Sequence, residues 1–185
     1  MFEVARRGRA DVMAFMLDLG FSIEVGDESN ARALHHAAVN DSREVAELLI
    51  ARGAEIDPRE THYGATPIDW AAHADHQGMM DYLSQFSRNV WTLSFRGYVA
   101  RLREVLLAEP DRAKAKDEDG ITPLWWLPDD ETTALEIVDL LVAHGANPVA
   151  KSSNGTTAVD WAVKRGMRDV AQRLASYDRL EGGAG

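Results

Sequence analysis

The chain contains no cysteine among its 185 residues, which excludes disulfide staples, thiolate nucleophiles and cysteine-ligated zinc. It also lacks any apolar run near the roughly twenty residues that a membrane-spanning helix needs. Arg6, Arg7 and Arg9 break up the N-terminal stretch, so no signal peptide is expected. Positive charge is scarce: 20 Lys and Arg stand against 30 Asp and Glu, a formal net charge of −10, which argues against general binding to a phosphate backbone. The bunches Arg6/Arg7/Arg9, Arg96/Arg101/Arg103 and Lys164/Arg165/Arg168 read as solvated faces of a soluble protein, with the cytoplasm as the default compartment. What the chain does have is 45% apolar residues, enough for a substantial core.

One pattern organises those apolar residues. In Gly120-Ile121-Thr122-Pro123-Leu124, a glycine suited to a left-handed turn precedes Thr122, whose hydroxyl can cap the free amides of a helix. Pro123 suits the first helical position, where no amide is needed, so a helix is expected to start there. Some twenty residues on, Leu140-Leu141 marks the buried face of a second, antiparallel helix that ends at Gly145. The unit is turn, helix, helix, turn.

Variants recur along nearly the whole chain. The first 25 residues read as the tail of a unit, with one helix closing at Gly8 and another at Gly20. Complete units open at Arg32-Ala33-Leu34-His35-His36-Ala37 and at Thr66-Pro67-Ile68-Asp69-Trp70-Ala71, and further ones at Thr122 and at Thr157-Ala158-Val159-Asp160-Trp161-Ala162. Arg32 to Thr66 spans 34 residues and Thr122 to Thr157 spans 35. In period and in letters this resembles the ankyrin repeat, two helices and a turn recurring every ~33 residues with the signature T-P-L-H-x-A. The resemblance implies an all-α solenoid of stacked antiparallel helix pairs with short β-hairpin or turn fingers. It covers residues 1–177 as a single array of units 1–25, 26–57, 58–87, 88–112, 113–148 and 149–177, followed by a flexible tail at 178–185.

The departures carry information. Thr66 to Thr122 is 56 residues, about ten short of two periods, and the shortage falls near Ser87-Arg88-Asn89, where a helix opens at Val90 with no hairpin before it. Pro128 should stop the helix begun at Pro123. Arg32 occupies the capping slot but cannot accept a hydrogen bond. In the final unit, Arg168, Asp169, Gln172 and Arg173 give the polar outer face of a solenoid cap, whereas Phe2, Val12, Phe15 and Met16 have no earlier unit to cover them.

Several residues invite chemistry. Asp69, His73 and His76 lie along one helical face, with His62 in the preceding turn, which suggests a metal site. Against it, position 69 is the polar turn-facing slot of the repeat and His76 belongs to the interhelical bend. Asp129-Asp130-Glu131 lacks the alternating ligands and glycine of a calcium loop and suits the capping of a following helix. No serine or threonine sits in a nucleophile elbow or a glycine-rich loop. His35 matches the family histidine that bonds between neighbouring turns, and His36 is expected to pack. Trp70, Trp126 and Trp161 share one slot and are expected to pack between units. Trp91 and Trp125 fall one position earlier, where core packing competes with partial exposure to a partner.

The resemblance implies a non-catalytic module that binds a protein partner through hairpin tips and first-helix ends. Carried over position by position, the candidate partner-binding residues are His62, Tyr63, His73, Trp91, Phe95, Arg96, Glu118, Asp119, Ile121, Asp129 and Asp130. The centre is expected at His62, Tyr63, His73, Phe95 and Arg96, which combine aromatic area with a guanidinium beside the missing finger. No cofactor, metal, nucleic acid or membrane is expected, and the chain is either monomeric or part of a longer array. The alternatives are an accessory segment of a larger multidomain ankyrin protein and a metal-dependent hydrolase.

Overall fold

A computed structural model describes the backbone over residues 1–182 and the side chains over residues 1–177. Left-handed residues punctuate the chain into short helix pairs. The turn between the two helices of a pair holds Gly8, Asp41, Asp75, Gly97 or Gly166, with φ of 63°, 50°, 60°, 77° and 77°. Aspartate is among the few non-glycine residues that tolerate this conformation, so one turn geometry is built from two residue types. The chain divides into two compact units, Met1–Ser87 and Arg88–Gly185, each with its own apolar core.

The first unit contains α1 (Phe2–Arg6), α2 (Ala10–Asp18), α3 (Ala33–Val39), α4 (Arg43–Ala51), α5 (Pro67–His73) and α6 (Gln77–Ser84). Its core gathers Met13, Leu34, Leu49, Ile68, Met79 and Leu83, with Ala37, Ala38 and Ala71 letting the first helices approach closely. The expected start of α5 is seen in detail. The Thr66 hydroxyl accepts from the Asp69 amide at 3.4 Å, while the Asp69 carboxylate accepts from the Thr66 amide at 3.1 Å and its hydroxyl at 2.8 Å. This reciprocal cap satisfies amides that a helix start leaves open. Arg32 offers α3 no such cap. Its side chain pairs with Glu24 and Glu55, and its own amide donates to Nδ1 of His35 at 3.0 Å.

The second unit contains α7 (Val90–Phe95), α8 (Val99–Ala108), a 3-10 turn (Pro110–Lys114), a second 3-10 turn (Pro123–Trp125), α9 (Glu131–Ala143), α10 (Ala158–Lys164) and α11 (Arg168–Gly182). Leu93, Leu102, Leu106, Leu124, Leu127, Ile137, Leu141 and Leu174 form its core. As expected from the spacing, α7 opens without a finger: Asn89 caps it directly, its side-chain oxygen accepting from the amides of Trp91 and Thr92 at 3.1 and 3.3 Å. The cap of α10 repeats that of α5, with Thr157 and Asp160 in the two roles.

The helix expected from Pro123 does not form. A single 3-10 turn stands in its place, and Thr122, although buried, caps nothing: its hydroxyl has no partner. Two features of the residues explain this. Pro128 has no amide to donate to Leu124 and biases Leu127 away from helical geometry, leaving room for barely one turn after Pro123. At the position where Asp69 and Asp160 return the threonine's hydrogen bond stands Trp125, which has no acceptor. The part of the expected flexible tail at 178–182 continues α11, and residues 183–185 lie outside the described residues.

Candidate functional site

Within Met1–Ser87, a half-buried carboxylate, Asp27, and a buried one, Glu60, build the fingers. Asp27 accepts from the amides of Ser29 and Ala31 and from the Ser29 hydroxyl, at 2.7 to 3.0 Å. Burial alone would raise its pKa; these bonds and one to His36 outweigh it and hold the carboxyl at about 2. Glu60 does the same for the next finger, accepting from the amides of His62, Tyr63 and Ala65 at 2.7, 2.7 and 3.0 Å. Burial would raise it too, and the three amides bring it below the usual carboxylate range. The two fingers are tied together where the amide and hydroxyl of Thr61 both donate to the Ser29 carbonyl, at 2.8 and 3.0 Å.

His35 fastens the base of the second finger, with Nε2–H donating to the Ala65 carbonyl at 3.2 Å, which is the bond between neighbouring turns expected from the sequence. Tyr63 therefore stands on an anchored tip with 93% of its surface exposed. His62 is exposed beside it, and His73 is exposed at the end of α5. The structure thus presents all three first-unit candidates to solvent. The metal reading loses its ligands to other work: Asp69 is engaged by Thr66, and the Nε2–H of His76 donates to the Val39 carbonyl at 3.2 Å. Among the described residues no group of three or more His, Asp or Glu is placed to hold a metal ion.

Within the second unit, Phe95 and Trp126 meet edge to face, with ring centroids 5.8 Å apart and an interplanar angle of 88°. The Arg96 guanidinium lies 4.8 Å from the Phe95 ring centre. Phe95 is 37% and Trp126 44% exposed. This corrects the expectation for Trp126 and agrees with core packing for Trp125. Trp126 does not pack in the core, whereas Trp125 is buried and stacks on Trp161 at 6.1 Å. Without an α-helix the chain leaves helical geometry at Trp126 (φ −105°, ψ 76°), and its ring meets Phe95 instead of the core. The signal was legible in Pro128, two residues on.

The other second-unit candidates divide by task. Trp91 is half-buried against the core, and so is Ile121. Glu118 and Asp119 are exposed on a finger held by Asp117, which accepts from the amides of Asp119 and Ile121 at 3.0 and 2.8 Å. Asp130 caps α9 through the amide and hydroxyl of Thr133, at 2.9 and 2.6 Å. Asp129 pairs with Arg165 at 2.5 Å, and Arg165 also donates to the Leu127 carbonyl at 2.8 Å. These two carboxylates brace the irregular segment.

Comparison with known proteins agrees with this architecture. Residues 1–92 match the ankyrin-repeat family in three copies. The chain is 28% identical to a mitochondrial disaggregase of Homo sapiens over 88% of its own length and 24% of that protein's. It is likewise 28% identical to the palmitoyltransferase Hip14 of Drosophila melanogaster, over 80% of this chain and 25% of the relative. It thus spans about a quarter of the length of these curated relatives. Among solved structures, an ankyrin repeat domain from Acinetobacter baumannii superposes with a TM-score of 0.63 at 20% identity, covering 95% of each chain. A chain from the complex of the Bdellovibrio bacteriovorus endopeptidase Bd0816 with the immunity protein Bd3460 gives the same TM-score at 18% identity, covering 95% of this chain and 96% of that one. Paired short helices, carboxylate-built fingers and a threonine-capped repeat, together with these matches, place the chain in the ankyrin-repeat family.

Proposed function

We propose that this chain is a non-catalytic module that binds a protein partner through exposed aromatic side chains held on an anchored backbone. The observation that carries the reading is that exposure. Tyr63 projects from a fingertip whose amides are spent on the buried Glu60, and Phe95 and Trp126 form an open pair at a first-helix end. Rigid aromatic groups provide large contact area with few torsions to freeze, which is why they serve as interface anchors. His62 and His73 extend the first of these surfaces and Arg96 the second. Glu118, Asp119 and Ile121 would add finger contacts, while Asp129 and Asp130 act by bracing the backbone around Trp126.

The curated relatives are about four times longer than their matched stretch, which supports a module that can be joined to other activities. Transfer of palmitate or disaggregation belongs to those proteins' names and is not carried over to this chain. The test is affinity capture from source cells with quantitative mass spectrometry. Wild type is compared with Tyr63→Ala, with Phe95→Ala/Trp126→Ala, and with Val163→Ala as an exposed apolar control. Loss of the same partners from one or both aromatic variants, with the control unaffected, is expected; equal recovery by all four proteins overturns the reading.

A further inference from the structure

We propose that His36 is a proton-responsive latch that holds α1 onto the rest of the Met1–Ser87 unit and releases it on mild acidification. The ring is 2% exposed and both nitrogens are committed. Nε2–H donates to the Asp27 carboxylate at 2.8 Å, which leaves Nδ1 as an acceptor, and Nδ1 takes the Nε–H of Arg6 at 3.3 Å. Phe2, the other α1 side chain at this point, meets the imidazole at 5.2 Å, and Trp70 of α5 closes the ring edge-on at 5.3 Å. The helix so held has only five residues, too few to persist without tertiary support.

A proton arriving at Nδ1 turns the acceptor into a donor facing another donor, and puts an imidazolium against a guanidinium. The groups around the ring divide as follows. Burial, which opposes the charge, is the largest influence, and Arg6 and the Met1 amino group oppose it as well; Asp27 favours it by hydrogen bond and by charge, and the balance lies below the usual imidazole range. His35, beside it on α3, is also needed neutral, because its Nδ1 accepts the Arg32 amide while Nε2–H serves Ala65. From α5 the ring meets Trp70. Asp27 keeps its bonds to Ser29 and Ala31 whatever His36 does, so the finger stays and the movable member of the conflict is Arg6. Arg6, also 4.0 Å from Glu3 of the same helix, and Phe2 are the α1 side chains that meet the ring, so driving Arg6 off removes one of the two contacts by which His36 holds α1. Because the neutral ring belongs to the latched state, the latch is intact above the ordinary imidazole range and opens as pH falls below it.

The test uses the full chain. Amide hydrogen exchange in residues 2–9, corrected for its intrinsic pH dependence, is followed from about pH 7.5 to about pH 5, alongside imidazole nitrogen shifts. Protection of these amides should be lost as pH falls, while α5 and α6 keep theirs. His36→Phe keeps the ring packing without a titrating group and should flatten the profile; Arg6→Met removes the opposing cation and should do so too. Unchanged protection in wild type overturns the latch, as does the same fall in Arg6→Met or His36→Phe. If His36→Phe does not fold, an imidazolium at His36 formed with α1 still protected overturns it.

Discussion

Trp125 is buried and Trp126 is open because the segment around them is one 3-10 turn, and this difference should set what each contributes. Trp125→Ala empties a core site stacked on Trp161 and should destabilise the protein by about 3–5 kcal/mol. Trp126→Ala forfeits an edge-to-face contact worth about 1 kcal/mol and the cover over part of an exposed ring, so it should cost less than Trp125→Ala. Denaturant melts distinguish the two. Threonines in the same capping slot diverge for a related reason. At Thr66 the hydroxyl is matched with Asp69, so Thr66→Val should lose about 1 kcal/mol of helix capping. At Thr122 the hydroxyl is buried and unpartnered, and Thr122→Val removes an unpaired polar group without changing shape, so its melting temperature should equal or exceed that of wild type.

Elements in this chain are set by pairs of signals rather than by single residues. A threonine followed by proline or alanine makes a helix where an aspartate stands three residues on, in α5 and α10, and fails where a tryptophan stands there and a proline follows at 128. Pro128→Ala should therefore let the Pro123 turn lengthen into an α-helix. Far-UV circular dichroism should show added helix, and tryptophan emission should shift to the blue as Trp126 swings toward the direction of Trp70 and Trp161; an unchanged spectrum would mean that Trp125 and Leu127 hold the turn in place. The fingers obey a paired rule as well. A carboxylate five or six residues before the capping slot (Arg32, Thr66 or Thr122) gathers the finger's amides, as Asp27, Glu60 and Asp117 do. Since Asp27 and Glu60 titrate lower in the folded chain than free carboxylates do, the stability they give is present above the usual carboxylate range and is lost as pH falls below that range through their lowered folded values. The Ala31 amide should therefore keep its exchange protection through the usual carboxylate range and lose it only as pH approaches about 2, where Asp27 takes up its proton, ahead of core amides in α4; the Ala65 amide should likewise lose protection only below that range.

At the scale of the whole molecule, the division at Ser87 and Arg88 coincides with the place where the repeat loses its finger. Each unit has its own apolar cluster, so damage should stay local. Leu49→Ala, at a fully buried position of the first core, should weaken that unit by about 2–5 kcal/mol and leave exchange protection in α9 near its wild-type level. Ile137→Ala should do the reverse. Comparable loss across both units after either substitution would show that the chain unfolds as one cooperative body.

The repeat period, the helix pairs, the missing finger before Val90 and the outward tip at Tyr63 were all legible in the residues. Each depends on local chemistry: which residue tolerates a left-handed turn, which side chain caps, and where an apolar stripe recurs. The surface at Trp126 was not read from the letters, because its slot is the packing slot of the repeat and only the collapse of the neighbouring helix turns it outward. The same holds for His36, which looked like packing and proved to join α1 to a finger through both ring nitrogens. Bonds between residues 9 and 30 apart in the chain leave no local pattern, so sequence by itself determined the ruler of this protein, and tertiary structure decided which marks on it face a neighbour and which face water.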